Sequence, residues 1–144
     1  MASEAPVDPG AYVLLVELDA PLRITAGKGR EATLAPGRYL YCGSAKGPGG
    51  LRARLARHMR RGKRRHWHID QLTEAGAVHG AWATPHGSEC AHVAELAHLP
   101  VPLDGFGSSD CPRCRSHLLH WPTGTDIPLE GPSRCEASLA TQKC

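Results

Sequence analysis

Asparagine is absent from this sequence, and no acidic residue occurs between Glu31 and Asp70. The first absence excludes an asparagine amide from any active or binding site. No run of about 18 apolar residues is present, which excludes a membrane-spanning helix of that kind. Residues 1–9 contain acids and no apolar core, so we expect no secretory signal and a cytoplasmic location. Hydrophobic residues make up 41% of the 144 positions, which predicts one globular domain.

The acid-free segment 32–69 concentrates positive charge. It holds ten of the seventeen lysines and arginines, which leaves seven basic and fourteen acidic residues elsewhere. The segment is therefore +10 and the remainder −7, although the net charge of the chain is only +3. Such a field favours a polyanionic partner, and nucleic acid over a small substrate. The basic and histidine residues expected to contact it are Lys46, Arg57, Arg61, Lys63, Arg64, Arg65, His66 and His68.

The basic run 60–68 also has a simpler interpretation. Charge runs are commonly the solvated end of a helix, whereas the functional interpretation is a surface that follows a phosphate backbone. Trp67 lies inside the run and could stack on a base. Because Ile69 follows closely, a position in the core is the favoured interpretation for Trp67.

Hydrophobic periodicity predicts a small α/β (α+β) domain in which helices flank a mainly antiparallel sheet. Strands are predicted at 11–18, 22–26, 30–34, 38–42 and 115–121, with an edge strand at 77–83. Helices are predicted at 51–61, 66–74 and 88–98. We expect a flexible N-terminus at 1–9, one domain at 10–121 and a loose tail at 122–144.

Four side chains in the first half of the chain could carry chemistry. Tyr12 and Tyr41 lie on predicted strands, and Arg54 and His58 are four residues apart, so they share one helix face. Taken singly, a strand tyrosine is commonly a core residue, and an arginine on a basic helix commonly faces solvent. Residue chemistry alone leaves two interpretations open, a domain that binds polyanions and a phosphodiesterase.

The order of motifs resembles the GIY-YIG nucleases, and specifically a small stand-alone branch long catalogued as a domain of unknown function. The resemblance covers residues 10–121. The motifs that carry it are Gly-Ala-Tyr at 10–12, Gly-Arg-Tyr-Leu-Tyr-Cys-Gly-Ser-Ala at 37–45, Leu-Arg-Ala-Arg-Leu-Ala-Arg-His at 51–58, His-Trp-His-Ile-Asp at 66–70, Glu-Cys at 89–90 and Gly-Phe-Gly-Ser-Ser-Asp-Cys at 105–111.

The resemblance implies a catalytic role for each matching position. Tyr12 or Tyr41 would help to activate the attacking water, directly or through another water. Arg54 would stabilise charge on the phosphoryl oxygens. His58 would position or deprotonate the nucleophilic tyrosine or water. Glu89 matches the single carboxylate that binds one divalent cation, Mg²⁺ or alternatively Mn²⁺.

The chain departs from the family pattern at three points. The two tyrosine motifs are separated by an additional hairpin at 22–34, which is expected in this branch. Cys42 replaces a small aliphatic residue. The family often has an active-site asparagine after the glutamate, and Ser108, Ser109 or Asp110 could fill that space; the two serines are therefore counted among the expected nucleic-acid contacts.

A second cluster has the chemistry of a zinc site. Cys111, Cys114 and His117 form a Cys-x-x-Cys-x-x-His run, and Cys90 could supply a fourth ligand. In the resembling branch the two cysteines are usually separated by one residue fewer. The alternative is a pair of buried thiols beside a surface histidine.

The favoured hypothesis is a metal-dependent DNA endonuclease, with damaged or branched duplex DNA as partner. The branch is also found joined to endonuclease III-like glycosylases, which suggests repair of damaged or abasic DNA. The alternatives are a non-catalytic nucleic-acid-binding module and an RNA-processing nuclease on the same fold. A protein partner or a homodimer is possible because the expected binding surface is small, and no membrane partner is expected.

Overall fold

The computed structural model describes residues 5–108 and 111–129, and the backbone of 134–135. Five strands form one antiparallel sheet in the order β6-β4-β1-β5-β7. Their bounds are β1 Gly10–Leu18, β4 Gly37–Ala45, β5 Ala77–Pro85, β6 Leu118–Trp121 and β7 Arg134–Cys135. A separate hairpin pairs β2 Leu22–Thr25 with β3 Glu31–Leu34. The helices are α1 Gly50–Met59, α2 Asp70–Ala75 and α3 Glu89–Glu95. The predicted mixed fold with a mainly antiparallel sheet is confirmed.

Strand β1 lies at the centre of the sheet because its side chains are apolar on both faces. Alternate residues of a strand point to opposite faces. Tyr12 and Leu14 enter the larger core, which also contains Leu51 and Leu55 of α1. Val13 enters a smaller core with leucines from the end of α3 and from β6. The two cores place α1 and α3 on opposite faces of β1.

Several element boundaries differ from the prediction. Helix α1 ends at Met59 because Arg60 adopts an extended backbone conformation. Helix α2 begins at Asp70 rather than at 66, and α3 ends at Glu95. Strand β5 is not an edge strand, because β7 pairs with its outer side. The last long strand begins at Leu118, three residues later than expected from the apolar pattern.

Segments on both sides of the predicted domain 10–121 pack against it. Where the sequence predicts a flexible N-terminus, Ala5 is buried, and the carbonyls of Pro6 and Asp8 accept hydrogen bonds from the first turn of α1. Where it predicts a loose tail, Ile127 and Leu129 pack against the smaller core. Among the helices of the described residues, none is long and apolar enough to cross a membrane.

A buried ion pair anchors the loop between α1 and α2. Asp70 is fully buried, and both of its carboxylate oxygens accept hydrogen bonds of 2.8 Å from the Arg57 guanidinium. Oδ2 also accepts hydrogen bonds from the backbone N–H groups of His66 and Trp67. Burial by itself raises the pKa of Asp70, but these hydrogen bonds outweigh it and hold the pKa below its usual value. Arg57 is therefore a structural residue, and its expected place on the nucleic-acid surface is corrected.

Replacing either member of this ion pair should destabilise the protein. Arg57→Ala leaves the Asp70 carboxylate buried and uncompensated, so we expect a loss of about 3–5 kcal/mol in the free energy of unfolding. Exposed Arg60 provides the matched control, and Arg60→Ala should change the free energy of unfolding by less than about 0.5 kcal/mol. Urea denaturation measures both. Equal stability of the two variants would contradict the anchoring role of Asp70.

Candidate active site

A cleft of about 430 Å³ opens where β1, β4, α1 and the start of α3 meet. Its lining includes all five residues that the sequence analysis assigned to catalysis, which are Tyr12, Tyr41, Arg54, His58 and Glu89. They come from four separate elements. Three of the expected nucleic-acid contacts, Lys46, His66 and His68, also line it.

Tyr12 and His58 form a buried hydrogen-bonded pair on one side of the cleft. The Tyr12 hydroxyl lies 2.6 Å from His58 Nε2. Burial, reinforced by the nearby positive charge of Arg54, lowers the pKa of His58 to about 3. Burial also raises the pKa of Tyr12 well above its usual value, although Arg54 opposes this. At neutral pH the pair is therefore a phenol beside a neutral imidazole, whose Nε2 accepts the phenolic hydrogen bond.

Glycines hold the rings of both tyrosines in place. Gly43 lies opposite Tyr12 in the β1–β4 pairing, and a Cβ atom at Gly43 would lie 2.4 Å from the Tyr12 hydroxyl. A Cβ atom at Gly107 would lie 2.6 Å from Cε1 of Tyr41, and Gly107 has φ +73°, a conformation that favours glycine. Burial raises the pKa of Tyr41. Any larger residue at these two glycines would displace a tyrosine.

Arg54 is held at the cleft from two directions. Its Nη1 donates a hydrogen bond of 2.6 Å to the carbonyl of Ser44, and its guanidinium lies 4.2 Å from the centroid of the Trp67 ring. The Arg57 guanidinium lies at the same distance from that ring. Trp67 packs against the larger core, as the favoured interpretation expected, and its ring supports two arginines.

The predicted nucleic-acid residues divide into two groups. Arg61 donates to the carbonyls of Glu74 and Gly76, and Lys63 contacts the Glu74 carboxylate with its side chain only 4% exposed. These two hold the loop to α2. The assignment of Lys63 to the binding surface is corrected because its side chain is almost fully covered, whereas Arg61 is exposed and its assignment stays a prediction. The exposed members are Lys46, Arg61, Arg64, Arg65 and His66, of which Lys46 and His66 line the cleft.

Two further expected contacts are hydrogen-bonded within the protein: His68, which is half-buried and lines the cleft, and Ser108. His68 Nδ1 accepts a hydrogen bond from the Gly107 N–H, and burial lowers the pKa of His68. Ser108 is buried and donates to the carbonyl of Arg115, so its expected contact with nucleic acid is corrected. Ser109 and Asp110 lie outside the described residues.

Glu89 faces the cleft from the first position of α3. Ser88 caps the helix by accepting a hydrogen bond from the Ala91 N–H, as expected for an N-terminal serine. The Glu89 side chain is 27% exposed, and Oε2 lies 3.7 Å from Nδ1 of His117. A partly exposed single carboxylate fits a divalent cation that keeps most of its water ligands.

The three cysteines and the histidine of the predicted zinc cluster converge beside the cleft. Their ligand atoms all lie within 4.8 Å of one another. Cys90 Sγ is 3.4 Å from Cys111 Sγ and 3.3 Å from Cys114 Sγ. His117 is 1% exposed rather than a surface residue, and both ring nitrogens are without a hydrogen-bond partner among the described residues. The cluster is therefore a candidate metal centre.

Sequence reasoning missed three residues that shape the cleft, namely Ser44, Asp70 and Gly107. Ser44 acts through its backbone carbonyl, for which the sequence carries no signal. Asp70 carries a signal in hindsight, because it is the first acid after the basic segment. Gly107 follows Gly105 and Phe106, and two glycines around an aromatic residue indicate a tight backbone that could have been singled out.

Comparison with known proteins identifies a family for this chain. A family model with the description domain of unknown function DUF123 matches residues 11–137. None of the curated proteins and none of the solved structures compared with the chain matches it.

The depressed pKa of His58 predicts a specific pH dependence of stability. The unfolded chain binds a proton at this residue below its ordinary pKa of 6.5, whereas the folded protein does so only near 3, so stability falls as the pH falls through that interval. Between pH 7 and pH 5 the contribution is about 2 kcal/mol. His58→Gln should remove it in urea denaturation, whereas the exposed His98→Gln control should follow wild type. Parallel profiles for all three proteins would contradict the neutral buried imidazole.

Proposed function

The chain belongs to the family described as a domain of unknown function, DUF123, and we propose that it is a metal-dependent DNA endonuclease of the GIY-YIG type. The observation that carries the proposal is the 2.6 Å contact between the Tyr12 hydroxyl and His58 Nε2 in a cleft that Arg54 and Glu89 also line. A phenol beside a neutral imidazole, an arginine and a carboxylate are the groups that hydrolysis of a phosphodiester needs.

The cleft residues divide the reaction between them. A water molecule attacks phosphorus while the bond to the leaving oxygen breaks. The Tyr12 oxygen accepts the proton of that water as its own proton passes to His58 Nε2, a transfer that the negative phosphate favours by offsetting the positive charge of Arg54. Arg54 stabilises the charge that builds on the phosphoryl oxygens. Bound at Glu89, Mg²⁺, or Mn²⁺ in its place, supplies charge neutralisation at the phosphate and at the leaving oxygen.

Of the two tyrosines, Tyr12 is the better candidate for the proton transfer. Its hydroxyl contacts a base, whereas the ring of Tyr41 packs edge-on against Phe106 at a centroid distance of 6.4 Å. Tyr41 lines the cleft and is 8% exposed, so it suits a role in positioning the water.

Nucleic acid is the proposed substrate because exposed basic side chains line the cleft or adjoin one of its lining residues in the chain. Lys46 and His66 line the cleft, and the exposed Arg64 and Arg65 precede His66 in the chain. These charges could hold phosphates on either side of the scissile bond. A repair role on damaged, abasic or branched duplex DNA rests on the resemblance and on the joining of this branch to glycosylases.

Zinc is the ion that we propose for the cluster of Cys90, Cys111, Cys114 and His117. Three thiolates and one imidazole form a ligand set that is common in structural zinc sites. The buried His117 imidazole, without a hydrogen-bond partner among the described residues, fits such a role because a metal would satisfy one of its nitrogens. Cys90 comes from α3 and the other three residues from the segment 111–117, and their ligand atoms lie within 4.8 Å of one another.

Cleavage assays test the nuclease proposal. Abasic, nicked, branched and intact DNA duplexes and a single-stranded RNA are incubated with Mg²⁺ or with EDTA. Arg54→Ala and Glu89→Ala should each reduce cleavage about 100-fold or more, because each removes charge stabilisation in the transition state, while binding is largely retained. Arg60→Ala and Glu95→Ala are the matched controls and should cleave normally.

The other outcomes of this assay identify the alternatives. Binding of DNA by wild type without cleavage of any substrate would contradict the nuclease proposal and indicate a binding module. Cleavage of RNA alone would indicate an RNA-processing nuclease. Normal cleavage by Glu89→Ala would contradict its assignment as the cation ligand, and normal cleavage by Tyr12→Phe would exclude the proposed proton transfer.

Metal analysis of the purified protein tests the zinc proposal. We expect one zinc per chain, and its loss in Cys111→Ala and in Cys114→Ala because three ligands bind zinc much more weakly than four. Cys42, a buried thiol outside the cluster, supplies the control, since Cys42→Ala should keep its zinc. A folded wild-type protein that contains no metal would contradict this assignment.

A further inference from the structure

Glu89 and Cys90 place two different sites on consecutive residues of α3. The Glu89 carboxylate lines the cleft, and the Cys90 thiol belongs to the metal cluster. Consecutive residues of a helix point about 100° apart, so one helical turn reaches both sites. A shift of this helical turn at one site therefore also moves a residue of the other site.

His117 is the second connection between the two sites. It belongs to the cluster, and its Nδ1 lies 3.7 Å from Oε2 of Glu89. Neither ring nitrogen has a hydrogen-bond partner of good geometry among the described residues, although the ring is buried. A metal ion on one nitrogen and a carboxylate on the other would satisfy both.

The backbone of His117 is fixed independently of the metal. Its N–H donates a hydrogen bond of 2.9 Å to the Phe106 carbonyl, and its carbonyl accepts one of 2.9 Å from the Cys42 N–H. The main chain therefore holds the imidazole near both the cluster and Glu89. The backbone does not fix the orientation of the ring or which of its nitrogens carries the proton. A bound metal would fix both.

We propose that His117 is a positioning residue through which the metal in the cysteine cluster orients the Glu89 carboxylate toward the cleft. The metal binds Nε2, which leaves the proton on Nδ1, and Nδ1–H donates to Oε2 of Glu89. Occupancy of the cluster thereby controls how well Glu89 binds the divalent cation in the cleft. This last consequence rests on the proposed function, whereas the link between zinc and Glu89 does not.

Zinc affinity tests the link without any cleavage assay. Carboxylates that hydrogen-bond a metal-bound histidine raise metal affinity about 10–100-fold, so Glu89→Ala should weaken zinc binding by at least about 10-fold in competition with a chromogenic chelator. Glu95→Ala, which removes a carboxylate from the same helix, should bind zinc as wild type does. With Co²⁺ in place of zinc, the visible absorption bands should shift in Glu89→Ala and not in Glu95→Ala. Unchanged zinc affinity and an unchanged Co²⁺ spectrum in Glu89→Ala would overturn the proposal.

A second variant separates the metal from the imidazole. His117→Cys offers four thiolates and should retain zinc, but it has no nitrogen to donate to Glu89. We expect Mn²⁺ binding at Glu89, followed by electron paramagnetic resonance, to weaken about 10-fold in the zinc-loaded variant. Mn²⁺ affinity equal to wild type in zinc-loaded His117→Cys would overturn the proposal.

The two sets of measurements fail independently. A wild-type protein that cleaves no nucleic acid contradicts the proposed function, while a loss of zinc affinity in Glu89→Ala still supports the link. A protein that cleaves DNA but binds zinc equally well with and without the Glu89 carboxylate contradicts the link alone.

Discussion

The cleft depends on how the protein satisfies one buried negative charge, that of Asp70. Two hydrogen bonds from Arg57 and two from backbone N–H groups surround this carboxylate. The backbone groups belong to His66 and Trp67, in a loop without regular secondary structure. Because Asp70 fixes that loop, Trp67 can support Arg54, and His66 and His68 can reach the cleft. One ion pair outside the chemistry thus shapes one wall of the site.

The positive segment of the sequence performs two separate tasks. Hydrogen bonds from Arg57, Arg61 and Lys63 hold α1, α2 and the connecting loop together. The remaining exposed charges, among them Lys46 and Arg64, supply the field outside the cleft. A high local density of basic residues is therefore only partly a measure of the affinity for a polyanion. Substitution of the remaining exposed charges should therefore affect binding, whereas substitution of the charges that hold the loop should affect stability.

Periodicity predicts the central sheet, and the spacing of Arg54 and His58 places them on one helix face. The catalytic roles of the five candidates follow from the resemblance of the motifs to a known family, and Glu89 is identified from that resemblance alone. The sequence could not separate Arg57 from its basic neighbours, since neighbouring arginines on one helix differ only in which acid the fold later brings to them. It also missed the pairing of β5 with the two-residue β7, which is too short to produce a periodic pattern. Sequence periodicity carries no information about the long-range partner of a single residue.

The position of the cysteine cluster along the chain has a consequence for biosynthesis. Cys90 leaves the ribosome 21 residues ahead of Cys111, and His117, just before edge strand β6, follows last. Tyr12 and His58 have already been synthesised by then, so a nascent chain can bring them together before any complete metal centre exists. If the cluster binds a metal, the order of synthesis makes its capture a late event. A chain that terminated before His117 would carry the tyrosine–histidine pair without the complete cluster.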